Sequence, residues 1–202
     1  MNFYVIENSD DMSDSITMLK AEPLTVDEVN TYGVGHINRY TQDLAGTVSN
    51  NNGYGGMTYY SSETCGYPAG ASSSVTTGCT TDYAQSEVKY AVDAWAKDKF
   101  QASDLKEDSL GYKARLITLE ELQNNLGYAQ LQSGDTFISY DSSNSPSWIY
   151  NSNYLYWTMS PYEYFALNVW CVYGDGFLYH NFVGNGRLGV VRPVVTLLKS
   201  AI

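Results

Sequence analysis

Residues 169–183 read Val169-Trp170-Cys171-Val172-Tyr173-Gly174-Asp175-Gly176-Phe177-Leu178-Tyr179-His180-Asn181-Phe182-Val183. Two runs of β-branched and aromatic residues flank Gly-Asp-Gly. Such runs favour a pleated backbone, and Asp-Gly supplies the positive φ that a tight turn between antiparallel strands requires. The stretch is expected to be a β-hairpin. It lies where the chain changes character: residues 148–188 hold thirteen of the twenty-nine aromatics but only three charges, Glu163, Asp175 and Arg187. A further strand is expected over residues 154–159. Residues 190–198 close the chain as one β-branched strand, with Pro193 putting part of it at an edge or a start because proline has no N–H to donate.

Upstream, the pattern turns helical. Val88, Ala91, Val92, Trp95 and Ala96 recur at helical spacing and make one apolar stripe over residues 82–100. Asp82, Glu87, Lys89, Asp93 and Lys97 read as its solvated face. Thr118-Leu119-Glu120-Glu121 is a capping box, a hydroxyl at the cap with a carboxylate three residues on. The helix it opens carries Leu119, Leu122 and Leu126 and stops at Gly127. A second box, Thr25-Val26-Asp27-Glu28, opens a short helix ending near Gly33. Residues 3–6 and 16–19 read as two strands joined by an acidic loop, and residues 136–140 as a short strand. Residues 33–80, rich in Gly, Asn, Ser and Thr, show no period and read as a loop-rich insertion. The pattern is α+β.

The chain has 202 residues and 22.5 kDa, enough for one domain with a real core. Eleven Lys and Arg against twenty-two Asp and Glu give a net charge of -11. Such a chain repels phosphate backbones, so nucleic acid and anionic membrane are not expected partners. It has no run of 18 apolar residues. The opening Phe3-Tyr4-Val5-Ile6 stops at Glu7, too short for a signal peptide. The chain is then either cytoplasmic or a fragment without its leader and anchor. Nineteen tyrosines set the composition apart. With Ser, Gly and Asn they make up binding surfaces, where rigid amphipathic side chains give contact area at low entropy cost. A β-rich extracellular protein has a similar composition, and both readings stand.

Few residues nominate catalysis. Cys65 and Cys79 flank a Gly-Ser-Thr loop. The two are expected to close it as a disulfide, which implies an oxidising compartment; two free thiols are the alternative. Cys171 reads as a small side chain in a strand rather than a nucleophile. Gly184-Asn185-Gly186-Arg187-Leu188-Gly189 matches G-x-G-x-x-G by letter, but precedes a Pro-containing strand instead of a helix. His36 and His180 lie far apart in sequence, and no third group is nominated to orient either as a base. Asp10, Asp11 and Asp14 lack EF-hand spacing. Neither a cofactor nor a metal is expected, and the chain is read as a non-enzyme.

Taken in order, the elements resemble a family. Arg115-Leu116-Ile117-Thr118-Leu119-Glu120-Glu121-Leu122, after a helix containing Ala94-Trp95-Ala96, resembles the RLPT-x-x-E element of C-type-lectin-like domains related to formylglycine-generating enzymes. Tyr156-Trp157-Thr158-Met159-Ser160-Pro161 and Gly189-Val190-Val191-Arg192-Pro193 resemble the YWxxSP and GVRP ending of a bacterial surface branch of that fold. The resemblance covers most of the chain. It implies a single domain over residues 1–202, with two helices on twisted antiparallel sheet, chain ends close together and long irregular loops presenting a binding face. The calcium-lectin sugar motifs are absent, Glu22-Pro23-Leu24 half matching one of them. The paired active-site cysteines of the enzymes are also absent, since Cys171 stands alone in its segment.

The same fold is the usual scaffold of diversity-generating retroelements, which hypervary a terminal segment by adenine mutagenesis. Mutated Asn codons do not yield Trp, Lys, Glu, Gln or Met. Between residues 162 and 188 only Glu163 and Trp170 belong to that set. An undiversified aromatic segment stands as the alternative. The resemblance thus implies a ligand-binding or adhesin domain on a bacterial or phage surface, behind a pilus or other surface anchor. Its partner is a protein or a glycan on another cell or surface. Within the aromatic ligand-binding segment, residues 148–193, the expected binding face is Tyr162, Tyr164, Phe165, Leu167, Cys171, Tyr173, Phe177, Tyr179, His180, Phe182, Asn185, Arg187 and Leu188. In regular strands about half of these point inward. Trp157, Met159, Pro161, Arg192 and Pro193 are expected to be scaffold. A structural subunit, such as a pilus tip or capsid-decorating domain, and a formylglycine-generating-type enzyme are the other classes.

Overall fold

The computed structural model describes residues 1–7, 14–32, 83–141, 143–150, 154–164, 168–182 and 189–202. The insertion 33–80, the cysteines Cys65 and Cys79, His36, Asp10 and Asp11 lie outside the described residues.

The fold is α+β with two sheets. The first contains β1 (Phe3–Glu7), β2 (Ser15–Lys20), β3 (Ala114–Arg115) and β9 (Val194–Leu198), in the antiparallel order β1-β2-β9-β3. Thr17 faces Thr196 across β2 and β9, and their buried hydroxyls lie 3.0 Å apart. The second sheet contains β4 (Phe137–Ile138), β5 (Leu155–Pro161), β6 (Asn168–Val172), β7 (Leu178–Phe182) and β8 (Gly189–Val190), in the order β4-β7-β6-β5-β8. All its pairs are antiparallel except β5 with β8.

Three helices are described, one more than the resemblance implies. They are α1 (Val26–Tyr32), α2 (Glu87–Lys99) and α3 (Leu119–Asn125). Both capping boxes form. The Thr25 N–H donates to Glu28 Oε2 at 2.7 Å while Glu28 N–H donates to Thr25 Oγ1 at 3.2 Å. The same reciprocal pair joins Thr118 and Glu121. The helix expected from residue 82 starts later, at Glu87. A 3-10 turn occupies Tyr83–Gln85, and Ser86 Oγ accepts the N–H of Lys89 at 3.1 Å, which fixes the cap. The apolar stripe is as read: Val88, Ala91, Val92 and Trp95 are fully buried.

The closing strand is not continuous. Residues 189–198 divide into β8 in one sheet and β9 in the other, and the chain crosses between sheets at Val191-Arg192-Pro193. Arg192 holds the crossing. It is buried, and its guanidinium donates to the carbonyls of Lys20 (2.8 Å), Ile149 (3.0 Å) and Trp148 (3.2 Å). It also lies 5.1 Å from the Tyr156 ring centre and 5.8 Å from that of Tyr4. Five donors in a planar fork suit three carbonyls from two separate segments. β9 is an interior strand, so Pro193 marks its start, and the Pro193 carbonyl accepts Lys20 N–H at 2.8 Å.

The family-like motifs occupy structural positions. Arg115, buried on β3, donates to both carboxylate oxygens of Glu121 at 2.6 and 2.7 Å and to Asp108. Asp108 in turn accepts the N–H groups of Leu110 and Tyr112. Ser160 of β5 accepts the first helical N–H of α3, from Leu119, at 2.8 Å, and Met159 N–H donates to the Ile117 carbonyl. Trp157, Arg192 and Pro193 are buried, Met159 is half-buried and Pro161 is exposed.

Candidate ligand-binding face

The hairpin forms where expected. Gly176 N–H donates to the Tyr173 carbonyl, and Gly176 takes φ 88°, the left-handed conformation closing a three-residue loop. Tyr140 and Tyr150 leave little room there, since a Cβ on Gly176 would lie 3.0–3.2 Å from their side chains.

Successive residues of β7 face opposite sides of the sheet, and this divides the expected binding face in two. On one side Tyr179 pairs with Phe137 of β4 and with Cys171 of β6. Phe137, Tyr173, Phe177 and Tyr179 form an aromatic cluster here. The Tyr179 ring centre lies 5.0 Å from that of Tyr173, 5.9 Å from Phe137 and 6.1 Å from Phe177. Phe137 is 50% exposed and the other three are half-buried. Asn181, on the same side, donates to the Tyr173 hydroxyl at 3.1 Å. Burial pushes the Tyr173 phenol up to about 12, so it stays a neutral hydrogen-bonding group at physiological pH.

On the other side His180 pairs with Trp170. Its ring stacks on Tyr162 at 3.9 Å, and Tyr162 meets Trp170 edge-on at 5.3 Å and Tyr164 at 5.4 Å. Asn168 Nδ2 lies 2.8 Å from His180 Nδ1. Burial holds the imidazole below its ordinary pKa, which favours the neutral ring. Tyr164 is 49% exposed, and its hydroxyl accepts Gly134 N–H at 2.9 Å.

Two expected contact residues are corrected. Cys171 has 0% exposure beneath the Tyr179 side, and Tyr162 is buried between His180, Tyr164 and Trp170. Both pack in the core, because β6 is the central strand of its sheet and the Tyr162 ring covers Trp170. Burial also pushes the Cys171 thiol up, the opposite of what a nucleophile needs. Phe182 is the last residue of β7, opposite Asn168. Phe165, Leu167, Asn185, Arg187 and Leu188 lie outside the described residues, as does the Gly184–Gly189 motif apart from Gly189.

Phe137 was not among the expected contacts. It belongs to the short run at 136–140, outside the aromatic segment, and only the β4–β7 register brings it beside Tyr179. Among the described residues no cluster of three or more His, Cys, Asp or Glu is placed to hold a metal ion, and no helix is long and apolar enough to cross a membrane. Asp14 pairs instead with Lys106 at 2.9 Å. Compared with known proteins, the chain matches no family model, no curated protein and no solved structure.

Proposed function

We propose that the protein is a surface-displayed ligand-binding domain of C-type-lectin-like fold, an adhesin or receptor, and a target of a diversity-generating retroelement. The observation that carries the binding role is the cluster of Phe137, Tyr173, Phe177 and Tyr179. Tyr179 touches the other three rings, and one of them, Phe137, is half exposed on the short edge strand β4. Exposed apolar patches of this kind mark partner sites, and rigid aromatics bury large area at low entropy cost. Binding works by burial of Phe137 and Tyr179 against the partner, with Tyr173 and Asn181 adding hydrogen bonds at the rim.

The fold assignment is supported by the Arg115–Glu121 pair, which gives a structural reason for both ends of the RLPT-x-x-E-like element, and by the Arg192 crossing, which does so for the GVRP-like one. Diversification is supported by residue type. Of the two residues that adenine mutagenesis of Asn codons does not yield, Trp170 is core and Glu163 sits in an exposed turn.

Two experiments test the reading. Glycan and peptide-display screening of the 202-residue chain identifies a ligand, and Phe137→Ala with Tyr179→Ala is expected to abolish its binding. Binding that survives both substitutions places the site elsewhere. Sequencing the 3′ end of the gene across isolates tests diversification. Adenine-directed variation confined to codons 162–188, with a near-copy template nearby, establishes it; an invariant segment leaves a fixed-specificity adhesin or a structural subunit.

A further inference from the structure

A second concave surface shares no residue with either aromatic cluster. It is a groove of about 410 Å³ between α2 and the segment 100–114, within the size range of small-molecule sites, roughly 300–1,000 Å³. Its floor is apolar, made by Ala96, Phe100, Leu105, Tyr112 and Ala114. The two alanines are buried, and the three larger side chains are half-buried with their open faces toward the groove.

The rim is cationic. Lys89, Lys97 and Lys113 line the groove against one carboxylate, Asp93. In a chain of net charge -11 with eleven Lys and Arg, three of those cations stand around this one groove. Lys89 is already paired with Asp93, and its ammonium sits 5.3 Å from the Tyr112 ring centre. That pair is internally neutral. Lys97 and Lys113 are exposed, and neither makes an ion pair with a described residue. The groove therefore combines an apolar floor with two lysines that make no ion pair with a described residue.

This combination selects a ligand class. A bare phosphate leaves the apolar floor wet. A neutral hydrophobe leaves the ammonium groups unused. A polyanion such as nucleic acid meets the repulsion of the whole acidic chain. We propose that the groove binds a small amphipathic carboxylate, its acyl or aryl tail on Phe100, Leu105 and Tyr112 and its head group at Lys97 and Lys113. This goes beyond the aromatic-face reading and does not depend on it.

The test compares decanoate with decanol, the same chain length without the charge, on the 202-residue protein. Calorimetry gives affinity, and amide chemical shifts give location. Decanoate is expected to bind about tenfold more tightly than decanol, the combined effect of two exposed charge contacts. Shifts are expected over residues 89–114. Lys97→Gln with Lys113→Gln should remove the tenfold preference without changing the melting temperature, since both side chains are exposed. Phe137→Ala should leave decanoate binding unchanged, which separates this site from the aromatic face. Equal affinity for the two probes, unaltered decanoate binding by the double variant, shifts confined to other residues, or no binding at millimolar decanoate each overturns the proposal.

Discussion

Tyr179 and His180 are adjacent in β7 yet belong to different surfaces: Tyr179 meets Phe137 on one side of the sheet, and His180 stacks on Tyr162 at 3.9 Å on the other. Substitutions at the two positions therefore have opposite signatures. Tyr179→Ala is expected to lose ligand while unfolding free energy falls by a few kcal/mol at most, its three ring contacts contributing about 0.5–1.5 kcal/mol each. His180→Ala removes the ring packed on Tyr162 and is expected to lower stability more than it lowers affinity. Denaturant titration and binding, measured on the same preparations, check both.

The His180 ring also gives the protein a pH dependence. Its folded pKa lies below the unfolded value because burial disfavours the imidazolium. The stability it contributes is present above the unfolded pKa, about 6.5, and is lost as pH falls from there through the folded pKa. Melting temperature should drop over that acid window, and His180→Gln should flatten the part of the drop that this residue causes.

Glu121 anchors the buried end of the motif that opens α3. Glu121→Ala leaves Arg115 with Asp108 and the Leu116 carbonyl and removes the acceptor of the Thr118 N–H. Breaking a buried pair from one side costs about 3–5 kcal/mol. The urea midpoint should fall accordingly, with near-native far-UV dichroism before the transition. Glu121→Gln, which keeps an acceptor, should cost less.

Cys171 should resist labelling. Its thiol is fully buried with a raised pKa, so iodoacetamide at pH 8 should leave the peptide containing it unmodified in the native protein. The same peptide should be fully alkylated in denaturant. Native-state labelling of that peptide would show that β6 opens far more readily than a central strand should.

Much of the local architecture was legible in the sequence, because its causes are local. The boxes at Thr25 and Thr118 bring both partners within three residues, and the Asp175-Gly176 turn carries its own positive φ. The strand break at Arg192 was not legible. The run from Val190 to Leu198 has a continuous β pattern, and what divides it is a guanidinium needing carbonyls from Lys20 and from Trp148-Ile149, two distant segments. The binding face was legible in residue type but not in grouping. Alternation predicts that neighbours separate, but which side gains Phe137 depends on a β4–β7 pairing that no local pattern encodes.

The β2–β9 ladder has a consequence for how the protein is made. Thr17 and Thr196 share a buried contact across 179 residues of chain. During synthesis the β1–β2 hairpin is made long before β9, so one edge of β2 must wait unpaired until β9 has left the ribosome. The second sheet can form before then, since β4 to β7 lie closer together in sequence. Non-local pairing of this kind is slow and leaves an open strand edge prone to intermolecular pairing in the interval. The vulnerable interval for this protein thus lies between the synthesis of β2 and that of β9, before β9 has slotted between β2 and β3.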